Sequence, residues 1–154
     1  MVENHRLLVI DCFALLREVI AKQLRPDYHE VVTAADESEG LELLRSGPVP
    51  CAILLDFLMP DASGGRFIAE LRRDPRLALV PVVAMTGAFD RSGTEMATAR
   101  TRKPFRTSQL RELLERVLSA VGGFEQVDAP HRPNSRRGRY DALQPQVPNC
   151  PGVP

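Results

Sequence analysis

Two apolar rhythms alternate along the chain. "HEVVTA" at His29–Ala34 reads as a strand, and the unbroken apolar runs at Leu7–Ile10, Cys51–Leu55 and Val80–Met85 are the length of strands and carry no polar face. Runs of that kind belong to strands buried on both sides. Between them the apolar residues recur at helical spacing. Leu16, Ile20 and Leu24 share one face of Ala14–Leu24. Asp36 is placed to cap a helix over Glu37–Arg45, with Glu39 at the capping-box position, and "SGPVP" breaks that helix. "DASGG" turns the chain into a helix over Arg66–Arg73 that points Phe67, Ile68 and Leu71 inward. The clearest periodicity runs over Thr107–Val121, with Leu110, Leu113, Leu114, Val117, Leu118 and Val121 on one face. Gly122–Gly123 ends it.

Continuous apolar strands alternating with amphipathic helices imply an α/β fold, a doubly wound parallel sheet with helices on both faces. A fifth βα unit requires a helix over Arg91–Ala97 and a strand over Thr98–Arg102. The "ATARTR" run is a weak strand, since its residues are small or charged. From Gly122 the pattern stops. The last 33 residues hold 6 of the 13 prolines and no apolar period. The expected division is therefore a folded domain over 1–121 and a disordered, proline- and arginine-containing tail over 122–154. "RRGR" at Arg136–Arg139 reads as a solvated linker, because the tail holds only four arginines against three acids.

Composition narrows the function classes. The 154 residues suit one domain with a real core, and 44% apolar with 26% charged residues is globular composition. The formal net charge is zero, so neither nucleic acid nor a membrane surface is an expected partner. No apolar run reaches the roughly 18 residues of a spanning helix. The polar start "MVENHR" shows no signal peptide, and the cytoplasm is the expected location. Cys12, Cys51 and Cys150 form no metal-binding spacing. Cys12 and Cys51 fall at opposite ends of neighbouring strands, about five residues at ~3.3 Å each. A disulfide tolerates roughly 7 Å between Cα atoms, so free thiols are expected.

The chemistry gathers where strands end. In an open parallel sheet ligands bind beyond the carboxyl ends of the strands. Those ends offer Asp11 and Cys12, then Asp56, then Thr86, and further on Lys103 before Pro104. An acid at a strand tip is often only a loop cap. Lys103 stands out because the 20 basic residues include only two lysines, Lys22 and Lys103, leaving 18 arginines. An ammonium is a compact point charge, unlike the arginine fork. A carboxylate can attack phosphorus, a pair of carboxylates can hold Mg²⁺, and a lysine and a hydroxyl can meet phosphoryl oxygens.

Together, an acid ending the first strand, "DFLMPDASG" at Asp56–Gly64, "AMTG" with Thr86 30 residues after Asp56, and "KPF" at Lys103–Phe105 make a more specific pattern than any member. Over residues 6–121 the chain resembles the receiver domain of two-component response regulators. The resemblance implies a five-stranded flavodoxin-like sheet of order 2-1-3-4-5 and a phosphoryl group accepted on Asp56 from a sensor histidine kinase or phosphotransfer protein. It also implies Mg²⁺ held by Asp11, Asp56 and the backbone carbonyl of Leu58, with Thr86 and Lys103 on the phosphoryl group. It implies no enzyme of its own, and leaves the downstream protein unknown. Three departures stand against the family pattern. Cys12 replaces the second acid, and sulfur is a poor ligand for a hard ion. Arg100 takes the place of the usual aromatic. Thr86 and Lys103 are only 17 residues apart, shorter than usual. They favour the alternative of a degenerate receiver acting as a phosphorylation-independent interaction module. A dehalogenase-like phosphohydrolase would need D-x-D where this chain has Asp11-Cys12-Phe13, and a dinucleotide site would need glycines after the first strand.

Overall fold

The computed structural model describes residues 5–28, 30–59, 64–87 and 93–121. The expected tail, the Gly122–Gly123 stop and the "DASGG" turn before Gly64 lie outside them. The described chain runs β1 (Arg6–Ile10), α1 (Ala14–Leu24), β2 (Glu30–Ala34), α2 (Glu37–Ser46), β3 (Ala52–Asp56), α3 (Gly64–Arg73), β4 (Val82–Thr86), β5 (Ala99–Arg102) and α4 (Thr107–Ala120). All strand pairings are parallel, in the order β2-β1-β3-β4-β5. Among the described residues no helix is long and apolar enough to cross a membrane.

The unbroken apolar runs become the three central strands, every residue of which is buried. Alternation along each strand feeds two cores. Leu7, Val9, Leu54, Val83 and Met85 pack with Ile20 and Leu24 of α1 and Leu110, Leu114 and Val117 of α4. Leu8, Ile10, Ile53, Leu55 and Val82 pack with Leu44 of α2 and Phe67, Ile68 and Leu71 of α3. Each fully buried side chain of this size contributes about 1.5–3 kcal/mol of hydrophobic stabilisation, enough to fix which face each residue takes. Strand register follows, because a one-residue slip would turn every side chain to the opposite core. Asp36 caps α2 by accepting from the Glu39 N–H at 2.8 Å, and the Glu39 carboxylate reaches back to the Ala35 N–H at 2.7 Å.

Three expectations change. The helix over Arg91–Ala97 is not continuous. Its described part is a short 3₁₀ turn, Thr94–Met96, entered through Gly93 at φ +77°, a left-handed backbone through which no α-helix passes. Residues 88–92 lie outside the described set. Val121 is 49% exposed rather than packed. It is the C-cap of α4, and the apolar stripe has drifted off the core face by that point. The strand tips also shift: Asp56 is the last residue of β3, paired with Met85. The weak fifth strand does form. Its ladder with β4 runs from Val83↔Ala99 to Thr86↔Arg102, so pairing with a buried neighbour overrides poor intrinsic propensity.

Candidate functional site

The sheet order makes β1 and β3 neighbours, and their ladder ends at Ile10↔Leu55. The next residue of each strand is an acid. Asp11 and Asp56 therefore emerge side by side at the carboxyl edge, both buried. Lys103 arrives from the end of β5, where its N–H donates to the Thr86 carbonyl at 2.8 Å. Its ammonium is buried too. It lies 2.8 Å from Asp11 Oδ2 and 3.2 Å from Asp56 Oδ1. Three residues far apart in the chain thus share one water-poor pocket.

Each acid also binds its own loop. Asp11 Oδ1 accepts from the Phe13 N–H at 2.8 Å, and Asp56 Oδ1 accepts from the Leu58 N–H at 2.9 Å. Both are Asx-type turns, with the carboxylate holding an amide two residues on. The loop-cap role and the chemical role coexist. Burial pushes the Asp56 carboxyl above its ordinary range, and the Asp11 charge adds to this. Lys103 and the Leu58 N–H pull the other way without cancelling the effect of burial. Two buried acids share one ammonium, so the pocket carries an excess negative charge when both are ionised.

Thr86 is buried beside the pocket, and its hydroxyl donates to the Thr101 carbonyl at 3.4 Å. Its contact in this state is therefore with β5. The next residue, Gly87, is a close-approach position: a Cβ there would lie 2.8 Å from Leu58 Cδ2. A larger residue there would have to displace the tip of the Leu58 side chain. Cys12 Sγ lies 3.9 Å from Asp56 Oδ2. Cys51 is a free thiol, as expected. Cys12 is disulfide-bonded, which corrects the expectation of a thiol there. Ligand atoms of Asp11, Cys12 and Asp56 lie within 4.8 Å of one another. The two carboxylates suit a hard divalent ion. A disulfide sulfur has no thiolate to offer it.

Arg100 is exposed on β5, and its guanidinium donates to the Thr94 hydroxyl at 3.3 Å. Arg17 belongs to the site although nothing in its sequence context marks it. From the first turn of α1 its guanidinium donates to the Asp11 carbonyl at 2.7 Å. In a chain with 18 arginines, one more on a helix carries no signal. Only the packing of α1 over the end of β1 shows it.

A family model described as "Response regulator receiver domain" matches residues 7–115. Two curated relatives are similar at the sequence level. "Two-component response regulator ORR11" of Oryza sativa subsp. indica is 31% identical over 116 residues, covering 72% of this chain and 79% of that protein. "Probable transcriptional regulator ycf27" of Porphyridium aerugineum is 29% identical over 121 residues, covering 77% of this chain and 50% of that protein. The chain thus spans only about half the length of that relative. Among solved structures, a putative response regulator from Chloroflexus aurantiacus J-10-fl superposes with a TM-score of 0.67 at 26% identity, covering 76% of this chain and 99% of that one.

Proposed function

Because this chain belongs to the response regulator receiver domain family, we propose that it accepts a phosphoryl group on Asp56 from a phosphohistidine of a sensor kinase or phosphotransfer protein. The observation that carries this reading is the buried triad itself: Asp56 at the tip of β3, with Lys103 bridging it to Asp11. A surface acid that merely capped a loop would need no buried ammonium. Burying the three charges costs several kcal/mol per ion before pairing repays it, and an ordinary loop cap returns nothing for that cost.

The chemistry follows from the geometry. Asp56 Oδ1 is engaged by the Leu58 N–H and Lys103. Oδ2 is the oxygen left to attack phosphorus. An O–P bond forms, the P–N bond of the donor breaks, and the imidazole leaves with that electron pair. Lys103 moves with the charge: as Asp56 becomes an acyl phosphate, the ammonium turns from the lost carboxylate charge to a phosphoryl oxygen. Thr86 would turn its hydroxyl from the Thr101 carbonyl to another phosphoryl oxygen, releasing β5 at that point. Asp11, Asp56 and the Leu58 carbonyl would hold Mg²⁺, with Cys12 in the place of a third acid. When bound, the ion supplies positive charge against the phosphoryl oxygens. A downstream protein would read the phosphorylated state through the β5 and α4 surface.

The test is incubation of the full chain with acetyl phosphate and Mg²⁺, followed by intact and peptide mass spectrometry. One added HPO₃ group localised to Asp56 is the expected result. No adduct, or an adduct elsewhere, overturns the assignment.

A further inference from the structure

Asp11 is held at four atoms. Its N–H donates to the Ala34 carbonyl at 3.2 Å, its Oδ1 accepts from Phe13, its Oδ2 accepts from Lys103, and its carbonyl accepts from Arg17. Three of these partners come from the adjoining strand, the adjoining loop or the pocket. The fourth comes from a helix. α1 is fixed by Ile20, Ala21 and Leu24, all buried in the core it shares with α4. Arg17 is thus the rod between a packed helix and the first pocket residue. The ladder of β1 with β3 has already ended at Ile10, so neither neighbouring strand fixes the Asp11 carbonyl on that side.

We propose that Arg17 is a positioning residue for phosphoryl transfer to Asp56. It sets the Asp11 backbone, and so the place of the carboxylate that shares Lys103 with Asp56. The proposal rests on the reading of Asp56 as the phosphoacceptor. The mechanical link is short. Lys103 sits 2.8 Å from Asp11 and 3.2 Å from Asp56, so a shift of Asp11 draws the ammonium away from the reacting carboxylate. Misplacing a reacting group by 1 Å can cost about 10²-fold in rate. A carbonyl cap without functional consequence would produce the same hydrogen bond, so the test must separate the two.

Arg17→Met and Arg17→Lys are made in the full chain, with Arg17→Gln in place of the first if it does not fold. Acetyl-phosphate labelling is timed well below each melting temperature, and the Phe13 amide resonance reports the Asp11 carboxylate without phosphorylation. Arg17→Met is expected to label about tenfold more slowly or worse, with the Phe13 resonance shifted. Arg17→Lys, which keeps a charged donor, is expected to recover most of the rate. A variant without the arginine that labels at the natural rate overturns the proposal, whatever its stability. So does a slowed variant whose Phe13 resonance stays in place, or one that Arg17→Lys fails to rescue. If the natural protein itself takes no label, the phosphoacceptor reading fails. The Phe13 resonance then still decides whether Arg17 orders Asp11.

Discussion

The sheet buries a cation at each end, and the two are treated differently. At the amino edge, Arg6 opens β1 with its Nε 3.1 Å from Glu30 and a hydrogen bond from Nη1 to the Pro48 carbonyl at 3.1 Å. Its acid partner is 52% exposed. Water screens that pair, and the local charge is balanced. At the carboxyl edge, Lys103 faces two acids that are themselves buried. One ammonium there answers two carboxylates with little water to help. The first arrangement ties strand ends together. The second leaves a carboxylate whose pKa is raised and whose charge is poorly compensated. Such uncompensated, dry sites are where perturbed groups with chemical work are found. Burial of a cation alone does not mark function; the ratio of charges around it does.

The largest effect expected is at Asp56. Asp56→Asn should abolish the adduct on the domain while leaving it folded, since the substituted group is at the strand tip and keeps a carbonyl oxygen for the Leu58 N–H. Mass mapping after acetyl-phosphate treatment checks it. Labelling that persists would make the carboxyl pocket no more chemical than the Arg6 edge.

Next come the two cations. Lys103→Met should slow labelling about 10²-fold and cost about 3–5 kcal/mol of stability, because it strands two buried acids. Arg6→Met should cost less, about 0–1 kcal/mol, because Glu30 and Pro48 are exposed and water can replace the arginine, and leave the labelling rate of folded protein unchanged. Lys22→Ala, on an exposed face of α1, should change neither. Denaturant melts and timed labelling on all three variants decide it. Equal labelling of the Lys103 and Arg6 variants would erase the distinction between the edges.

A smaller effect is expected at Cys12. Cys12→Asp supplies a hard oxygen ligand and should tighten Mg²⁺ binding about tenfold or more, while lowering stability in chelator as three acids crowd together. Thermal melts against Mg²⁺, with reductant in both samples, measure it. Unchanged affinity would show that the missing acid is not what limits the site.

The smallest effect concerns pH. Asp56 binds its proton more tightly folded than unfolded, so stability falls as pH rises through the window between the ordinary value of 3.8 and the raised one. Asp56→Asn removes that penalty. In chelator it should melt above the natural protein at pH above the raised value. The gap should close as pH falls toward 3.8. A gap that is constant with pH would mean the carboxyl is not titrating in that window.

Much of the architecture is legible in the chain because its signals are local. α1 runs over Ala14–Leu24 as its Leu16-Ile20-Leu24 spacing predicts, and Asp36 caps α2 as its side chain requires. The buried strands announce themselves as unbroken apolar runs, since two covered faces leave no polar alternation. The segment between β4 and β5 is less legible. Its charged and small residues give no period, and Gly93 redirects the backbone through a conformation that only its φ reveals.

The candidate site divides along the same line. Acids at strand tips, and one of only two lysines beside a proline, can be seen in the letters, because each breaks a local pattern. That Lys103 sits between Asp11 and Asp56 depends on strand order, which no local run encodes; only the packed parallel sheet brings residues 11, 56 and 103 within a few ångströms. The Thr86 hydroxyl contact with β5, the exposure of Val121 and the reach of Arg17 to the Asp11 carbonyl were likewise decided by packing. Side-chain periodicity records which face is buried. It does not record what that face meets, because the partner lies elsewhere in the chain and is chosen only when the two cores close around the sheet.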